Sequence, residues 1–173
     1  MKYFLLEADK RNHIPYAINK NRAIDIRYVN QENAYRIPNC SVVEMEVPLE
    51  VYFPGILSEP IFMVNEQCAT VIEMYQPETI FKTVYLLQSE SGMNATYFLP
   101  ILESIECLAD EAKVSRGGKE LLEIVLREEM IFSKAIFRIA GFDHSYVIGR
   151  LDFVESIMRR NVEGLKLTEI MIM

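Results

Sequence analysis

The chain has 173 residues, half of them hydrophobic, with 18 basic and 25 acidic side chains and a net charge of −7. A chain of this length and apolar content folds as one ordinary domain, and intrinsic disorder is excluded. No apolar run reaches the ~18 residues of a membrane span or the roughly 7–15 residues of a signal-peptide core. We therefore expect a single domain over residues 1–173, located in the cytoplasm and without membrane contact.

The excess negative charge lies in the middle third of the chain. Residues 1–40 carry seven basic and four acidic side chains, residues 41–111 carry one and twelve, and residues 112–173 carry ten and nine. A nucleic-acid-binding protein needs the opposite sign, clustered on one face. An acidic surface instead favours association with a basic protein. A surface that only keeps the protein soluble is the alternative.

Alternation of apolar and polar residues, or a short apolar run between turn signals, predicts several strands in the first hundred residues. The predicted strands are residues 2–7, 23–29, 41–48, 61–64, 79–87 and 95–102. The last two flank a turn and form a predicted hairpin. Before them, Asn65 is the predicted N-cap of a helix that extends to Tyr75 and is ended by Pro77.

The C-terminal third shows the same order of elements. Strands are predicted at residues 122–126, 135–139 and 146–148, followed by a helix and a last strand. Gly164 is suited to the turn between that helix and strand. A shift of 85 positions lays residues 61–85 on this second strand–helix–strand pattern, although the similarity is too weak to define a repeat. The expected fold is α+β, with mixed and antiparallel sheets and a few packed helices, built partly from strand–helix–strand units.

The sequence contains no motif typical of catalysis, metal binding or nucleotide binding. His13 and His144 stand alone beside turn residues, and the three cysteines Cys40, Cys68 and Cys107 are widely spaced. The neighbouring carboxylates lie in polar or alternating segments, which favours a solvated face over the apolar pocket that acid–base catalysis needs. We expect no catalytic residue, no metal and no cofactor; an enzyme that uses Cys107 or a carboxylate is the third hypothesis.

Six acidic residues of the middle third are candidates for binding a protein partner. They are Glu44, Glu46, Glu103, Glu106, Asp110 and Glu111. The first two point to solvent together, because side chains alternate along a strand. The spacing of Glu103, Glu106 and Asp110 would place them on one ridge of a helix.

Arg138 lies in the middle of a predicted strand and alternates with Phe137 and Ile139, which are expected in the core. Arg138 shares its face with apolar residues, where an arginine lays down its stem and offers its guanidinium to a carboxylate. A structural ion pair with Asp152, Glu155 or an acid of the middle third is predicted. Direct contact with a partner or a ligand is the alternative.

Several segments, in their order, resemble the Imm11-type immunity-protein family of polymorphic toxin systems. They are MKYF, SEPIFMVNEQCATVIEMY, YFLPILESIECLADEAKV, KAIFRIAG and SYVIGRLDFVESIMRRNVEGLKLTEI. The resemblance is strongest over residues 54–172, so a less family-like N-terminal lobe at 1–53 beside an Imm11-like region at 54–173 is one expected division. The resemblance implies an antitoxin that binds a cognate toxin domain in the bacterial cell that produces it, without turnover, and it assigns no site residues.

Two functions from different classes follow. The first is an immunity protein, a monomer or weak homodimer, that neutralises a cognate toxin domain by stoichiometric binding. A basic toxin domain would suit the acidic surface. The alternative is a small-molecule-binding or regulatory domain without catalysis, which predicts an apolar pocket between the two strand–helix units.

Overall fold

The computed structural model describes all 173 residues, which form thirteen strands and three α-helices. The strands are β1 (Tyr3–Ala8), β2 (Cys40–Glu44), β3 (Ile56–Leu57), β4 (Met63–Val64), β5 (Ile80–Leu87), β6 (Asn94–Ile101), β7 (Ser104–Ile105), β8 (Lys113–Val114), β9 (Leu121–Glu123), β10 (Val125–Leu126), β11 (Ile136–Ile139), β12 (Val147–Arg150) and β13 (Leu165–Ile172). The helices are α1 (Glu66–Tyr75), α2 (Glu128–Ile131) and α3 (Leu151–Arg159). The predicted α+β class is confirmed. None of the helices has the length and apolar character that crossing a membrane requires.

The strands form two large sheets whose central parts have the same topology. The five-stranded sheet has the order β2-β5-β6-β4-β3, and the six-stranded sheet has the order β10-β13-β1-β12-β11-β7. In each, the first pair is parallel and the next three pairs are antiparallel. We call β2 to β6 with α1 the first unit, and β10 to β13 with α3 and β1 the second unit.

The two units are 85 positions apart in the sequence, the same shift at which the two strand–helix–strand patterns are similar. Glu66 and Leu151 begin the two helices, and Ile80 and Leu165 begin the strands that follow, so both offsets are 85 (151 − 66 and 165 − 80). In each unit the helix connects two strands that run parallel to each other, and an antiparallel strand lies between these two. That middle strand comes from a different part of the chain in each unit. In the first unit it is β6, which follows β5 through a hairpin, and in the second it is the N-terminal strand β1. Residues 1–53 thus contribute strands to both sheets.

The helices of the two units pack against each other and join both sheets in one buried cluster. The Tyr75 ring of α1 meets the edge of Phe153 of α3 at 5.7 Å between centroids, and its hydroxyl donates to the backbone oxygen of Asp152 at 3.0 Å. The predicted N-cap of α1 is confirmed, because Asn65 Oδ1 accepts from the backbone N–H of Cys68 at 2.9 Å.

The opposite face of each sheet is covered by an irregular segment. Residues 9–39, the first cover, place Ile18, Ile24, Ala34 and Ile37 against the five-stranded sheet. Residues 102–124, the second cover, contribute Ile105, Cys107 and neighbouring residues to the cluster on the six-stranded sheet. The first cover carries six basic and three acidic side chains, so +3, and the second carries three and six, so −3.

The strand predicted at residues 23–29 is wrong. Ile24 is buried but Ile26 is 42% exposed, and residues 26–28 form a short 3₁₀-helix. The cause is Asp25, whose carboxylate accepts the backbone N–H of Arg27 at 3.0 Å and caps that turn. Such a local side-chain bond competes with strand pairing even where the apolar alternation is regular. The predicted strand at 122–126 is interrupted and forms β9 and β10 instead.

Candidate functional site

The candidate partner-binding acids fall into two groups at opposite ends of β6. Glu44 and Glu46 lie at the end of β2 beside the β5–β6 turn, where the ammonium of Lys20 bonds Glu46 and lowers the pKa of its carboxyl. Glu103 follows the other end of β6 and pairs with Lys134. An eight-residue strand spans about 24 Å. The two groups therefore do not form one compact acidic patch.

The acidic ridge predicted over residues 103–111 is wrong, because this segment contains no helix. Ile105 and Cys107 are buried, whereas Glu106 and Asp110 are exposed. This is the period of two of an extended chain. It arises because β7 pairs in parallel with β11 and holds the segment against the sheet. Glu106 and Asp110 therefore face solvent along an extended segment at the edge of the six-stranded sheet, and not on one ridge of a helix.

The ion pair predicted for Arg138 is absent. Its Nε donates to the hydroxyl of Ser104 at 3.1 Å, and its backbone N–H donates to the carbonyl of Glu103 at 2.9 Å. No carboxylate contacts the guanidinium, and desolvation alone lowers the pKa of Arg138. The crevice beside it has a volume of about 10 Å³, room for a single water and for no larger ligand.

The carboxylates expected to hold Arg138 are bound elsewhere. Asp152 receives two hydrogen bonds from Arg150, at 2.7 and 2.9 Å, which lower the pKa of its carboxyl. Glu155 lies 3.7 Å from Arg159 one turn further along α3. Arg150 and Arg159, which are close to these acids in the chain, thus bind both carboxylates. Arg138 bonds the hydroxyl of Ser104 instead.

The buried thiols give no support to a nucleophile. Burial raises the pKa of Cys107 to about 11 and the pKa of Cys68 to about 12. Both are therefore protonated at neutral pH, whereas nucleophilic attack requires the thiolate. Cys40 is exposed on the edge strand β2.

The space between the two units is filled rather than open. The contact between α1 and α3 occupies the position where the small-molecule hypothesis places its pocket. Two large cavities lie beside the covers instead.

The first of these, the N-terminal cavity, has a volume of about 690 Å³ and lies between the first cover and the loop after β3. Its apolar lining is Ala8, Ile14, Pro15, Ala17, Ile18, Pro48, Leu57 and Pro60, and its polar lining is Lys10, Asn12, His13, Tyr16, Ser58 and Glu59. Ala17 on the cavity wall has a positive φ angle of 47°, a left-handed backbone conformation that residues other than glycine rarely adopt.

The second, the acidic groove, has a volume of about 610 Å³ and lies on the outer face of the six-stranded sheet. Leu5, Ile170 and Tyr146 give it an apolar floor, and β9 forms one wall. Five glutamates line it: Glu7, Glu59, Glu120, Glu123 and Glu169. His144 is the one lining residue that can carry positive charge, since no lysine or arginine lines the groove.

Four of these glutamates pair with lysines that lie outside the groove. The pairs are Glu7 with Lys166, Glu59 with Lys10, Glu123 with Lys113, and Glu169 with Lys2. Glu120 has no ion-pair partner. Exposed pairs of this kind contribute only about 0–1 kcal/mol. Basic side chains of a partner can therefore replace the lysines at little cost.

Sequence reasoning missed this groove because its acids are far apart in the chain. Among the five, only Glu59 belongs to the acidic middle third. Strand pairing assembles the others: Glu7 lies opposite Lys166 and Leu5 opposite Thr168 in the β1–β13 register. The available signal was the alternation of Leu5 and Glu7, which puts an apolar and an acidic side chain on one face.

Comparison with known proteins adds no family. No protein-family model matches the chain, and no curated protein matches it. The resemblance to Imm11-type immunity proteins therefore rests on the sequence landmarks and remains a prediction.

Proposed function

We propose that the protein is an immunity protein that binds a basic toxin domain one-to-one in the cytoplasm and blocks it without turnover. The observation that supports this proposal is the acidic groove. It combines an apolar floor with a rim of carboxylates, and protein interfaces commonly have an apolar core and a polar rim. The landmarks shared with Imm11-type proteins support the same function independently.

Electrostatics explains how such a groove suits an inhibitor. A toxin domain must be neutralised before it reaches its target, so fast association matters. Opposite charges raise association rates by orders of magnitude at low salt. The apolar floor then slows dissociation, because it is removed from water when the partner binds. An inhibitor of this type needs no catalytic group of its own.

The direct test first asks whether a neighbouring gene encodes a toxin domain, as the proposal predicts. The domain is expressed with and without this protein, survival of the cells is counted, and the purified pair is measured by calorimetry. We expect rescue, a 1:1 complex and an association rate that falls as salt rises. A toxin domain that stays active in the presence of excess protein would refute the proposal.

The N-terminal cavity favours a second candidate function, small-molecule binding. Its volume of about 690 Å³ lies within the roughly 300–1,000 Å³ of ligand sites, and its lining is mainly apolar with a few polar groups. The test is a screen of small amphipathic compounds by thermal shift. Saturable stabilisation by a compound that competes with no protein partner would favour this function.

A further inference from the structure

The N-terminal cavity and the acidic groove are adjacent, because Glu59 lines both of them. Its carboxylate bonds the ammonium of Lys10 at 2.9 Å, and both side chains are exposed. Since Lys10 also lines the cavity, this pair lies where the two spaces meet. Since an exposed pair is weak, a ligand that brings its own cation can displace Lys10 and cross from one space into the other.

The two spaces differ in chemistry and so define an asymmetric ligand. Ile14, Pro15, Ile18 and Leu57 make the cavity apolar, while the groove presents carboxylates. A ligand that occupies both needs a cationic part and an apolar part. Leu5 lines the groove and Ala8 lines the cavity, and the two residues are three positions apart on β1, about 10 Å along the strand. An extended peptide covers this distance in about three residues.

We propose that the N-terminal cavity receives an apolar side chain of the same protein partner whose basic residues lie in the acidic groove. The partner segment is extended, with lysine or arginine about three residues from a leucine-like anchor. This inference rests on the proposed function for the biological identity of the partner. The chemistry of the segment follows from charge complementarity in the groove and from the continuity of the two spaces at Glu59.

The cavity walls are held in place by hydrogen bonds within the chain, which favours an anchor site. Tyr16 and Glu46 exchange backbone hydrogen bonds of 2.9 and 2.8 Å. The buried hydroxyl of Ser58 accepts the N–H of Ala8 at 3.0 Å. A site that is already ordered loses little conformational entropy when an anchor enters.

The chain contains no tryptophan, so one introduced indole reports on the cavity by fluorescence. Tyr16→Trp places the reporter on the cavity wall and keeps an aromatic ring at a position that is 56% exposed. Phe132→Trp, at a position that is 67% exposed and outside both spaces, is the matched control. Each full-length variant is titrated with the capped pentapeptide Lys-Lys-Ser-Gly-Leu, with its Leu→Ser analogue, and with Glu-Glu-Ser-Gly-Leu.

We expect the lysine–leucine peptide to change the emission of Tyr16→Trp and to leave Phe132→Trp unchanged. Loss of the leucine should weaken binding about tenfold, since burial of one such side chain has roughly that effect. The glutamate peptide should not bind. Equal binding of the leucine and serine peptides, or no binding at millimolar concentration, would overturn the inference. So would capped leucine alone binding as tightly as the peptide, because the cavity would then be an independent small-molecule site.

A second measurement separates this inference from the proposed function. His13→Trp fills the cavity from an exposed position on its wall. If the natural toxin domain binds the wild type, we expect this variant to bind it about tenfold more weakly. Undiminished binding would refute the anchor and leave the immunity function in place. A toxin domain that ignores the wild type would refute the immunity function, while the peptide titration would still decide the cavity's ligand.

Discussion

The two units of this fold have the same scaffold but covers of opposite charge. In each unit two strands at one edge of the sheet pair in parallel, and an antiparallel strand lies between the two strands that the helix connects. The helix of each unit packs on the sheet face that is turned toward the other unit. The cover on the first unit carries +3, from six basic and three acidic side chains, and the cover on the second carries −3, from three and six. The N-terminal cavity lies beside the first cover, and the acidic groove beside the second.

This difference separates stability from recognition. The buried residues that the two units share lie between the sheets, where packing sets the free energy of unfolding. The features that can distinguish one partner from another lie beside the covers, where the units differ. Changes to the shared core should therefore affect folding, and changes beside the covers should affect binding.

The largest effect is expected from the shared core. Phe153→Ala should lower the free energy of unfolding by about 3–5 kcal/mol, because the ring is fully buried and packs on Tyr75 of the other unit. Denaturant unfolding monitored by circular dichroism measures this. Met158→Ala, on the exposed side of the same helix, is the control and should change little. Two separate unfolding transitions in the wild type would show that the units do not share one core.

The next effect concerns which acids recognise a partner. Changing Glu7, Glu120 and Glu123 to glutamine should slow association with a basic toxin domain about tenfold at low salt, since these acids line the groove. Stopped-flow measurements at several salt concentrations give the rates.

The matched control removes three charges from the second cover outside the groove. It combines Glu103→Gln, Glu106→Gln and Asp110→Asn, which are acids that the sequence indicated as partner-binding. We expect a smaller change in rate for this variant. If its association is slowed more than that of the groove variant, the partner binds along the β7 edge and the groove is not its site.

A smaller effect tests Arg138. Arg138→Met removes one hydrogen bond to Ser104 and no ion pair, so the free energy of unfolding should fall by about 1 kcal/mol. Ser104→Ala removes the other partner of the same hydrogen bond. It should lower the free energy of unfolding, measured by chemical denaturation, by about the same amount. A loss of 3 kcal/mol or more is typical of a buried charge left unpaired. That result would mean that Arg138 holds a carboxylate in solution.

Sequence reasoning succeeded where the signal was local. The Asn65 cap and the β5–β6 hairpin depend on residues close together in the chain. It failed where distant segments meet. Nothing local indicates that β1 enters the second unit, and that placement brings Glu7 near Glu120. In the covers, Asp25 caps a turn and pairing with β11 extends residues 103–111, so local periodicity there was misleading.

The smallest predicted effect comes from the different starts of the two helices. The neutral amide of Asn65 caps α1, whereas α3 has Arg150 at its N-cap position and Asp152 in its first turn. Hydrogen bonds from Arg150 hold the pKa of Asp152 below its usual value. A carboxyl whose pKa is lower in the folded state stabilises above its unfolded pKa of roughly 4, and this contribution is lost as the pH falls through the folded value.

Thermal unfolding between pH 7 and pH 2 should therefore depend less on pH in Asp152→Asn than in the wild type. The difference should stay within the ~0–1 kcal/mol of exposed ion pairs, because about half of the Asp152 side chain is exposed (48%). Asn65→Asp is the reciprocal variant. It gives α1 a titrating cap, so its stability should gain a dependence on acid pH that the wild-type α1 lacks. Identical pH profiles for wild type and Asp152→Asn would mean that the Arg150 pair does not persist in solution, and the two helix starts would then be electrostatically equivalent.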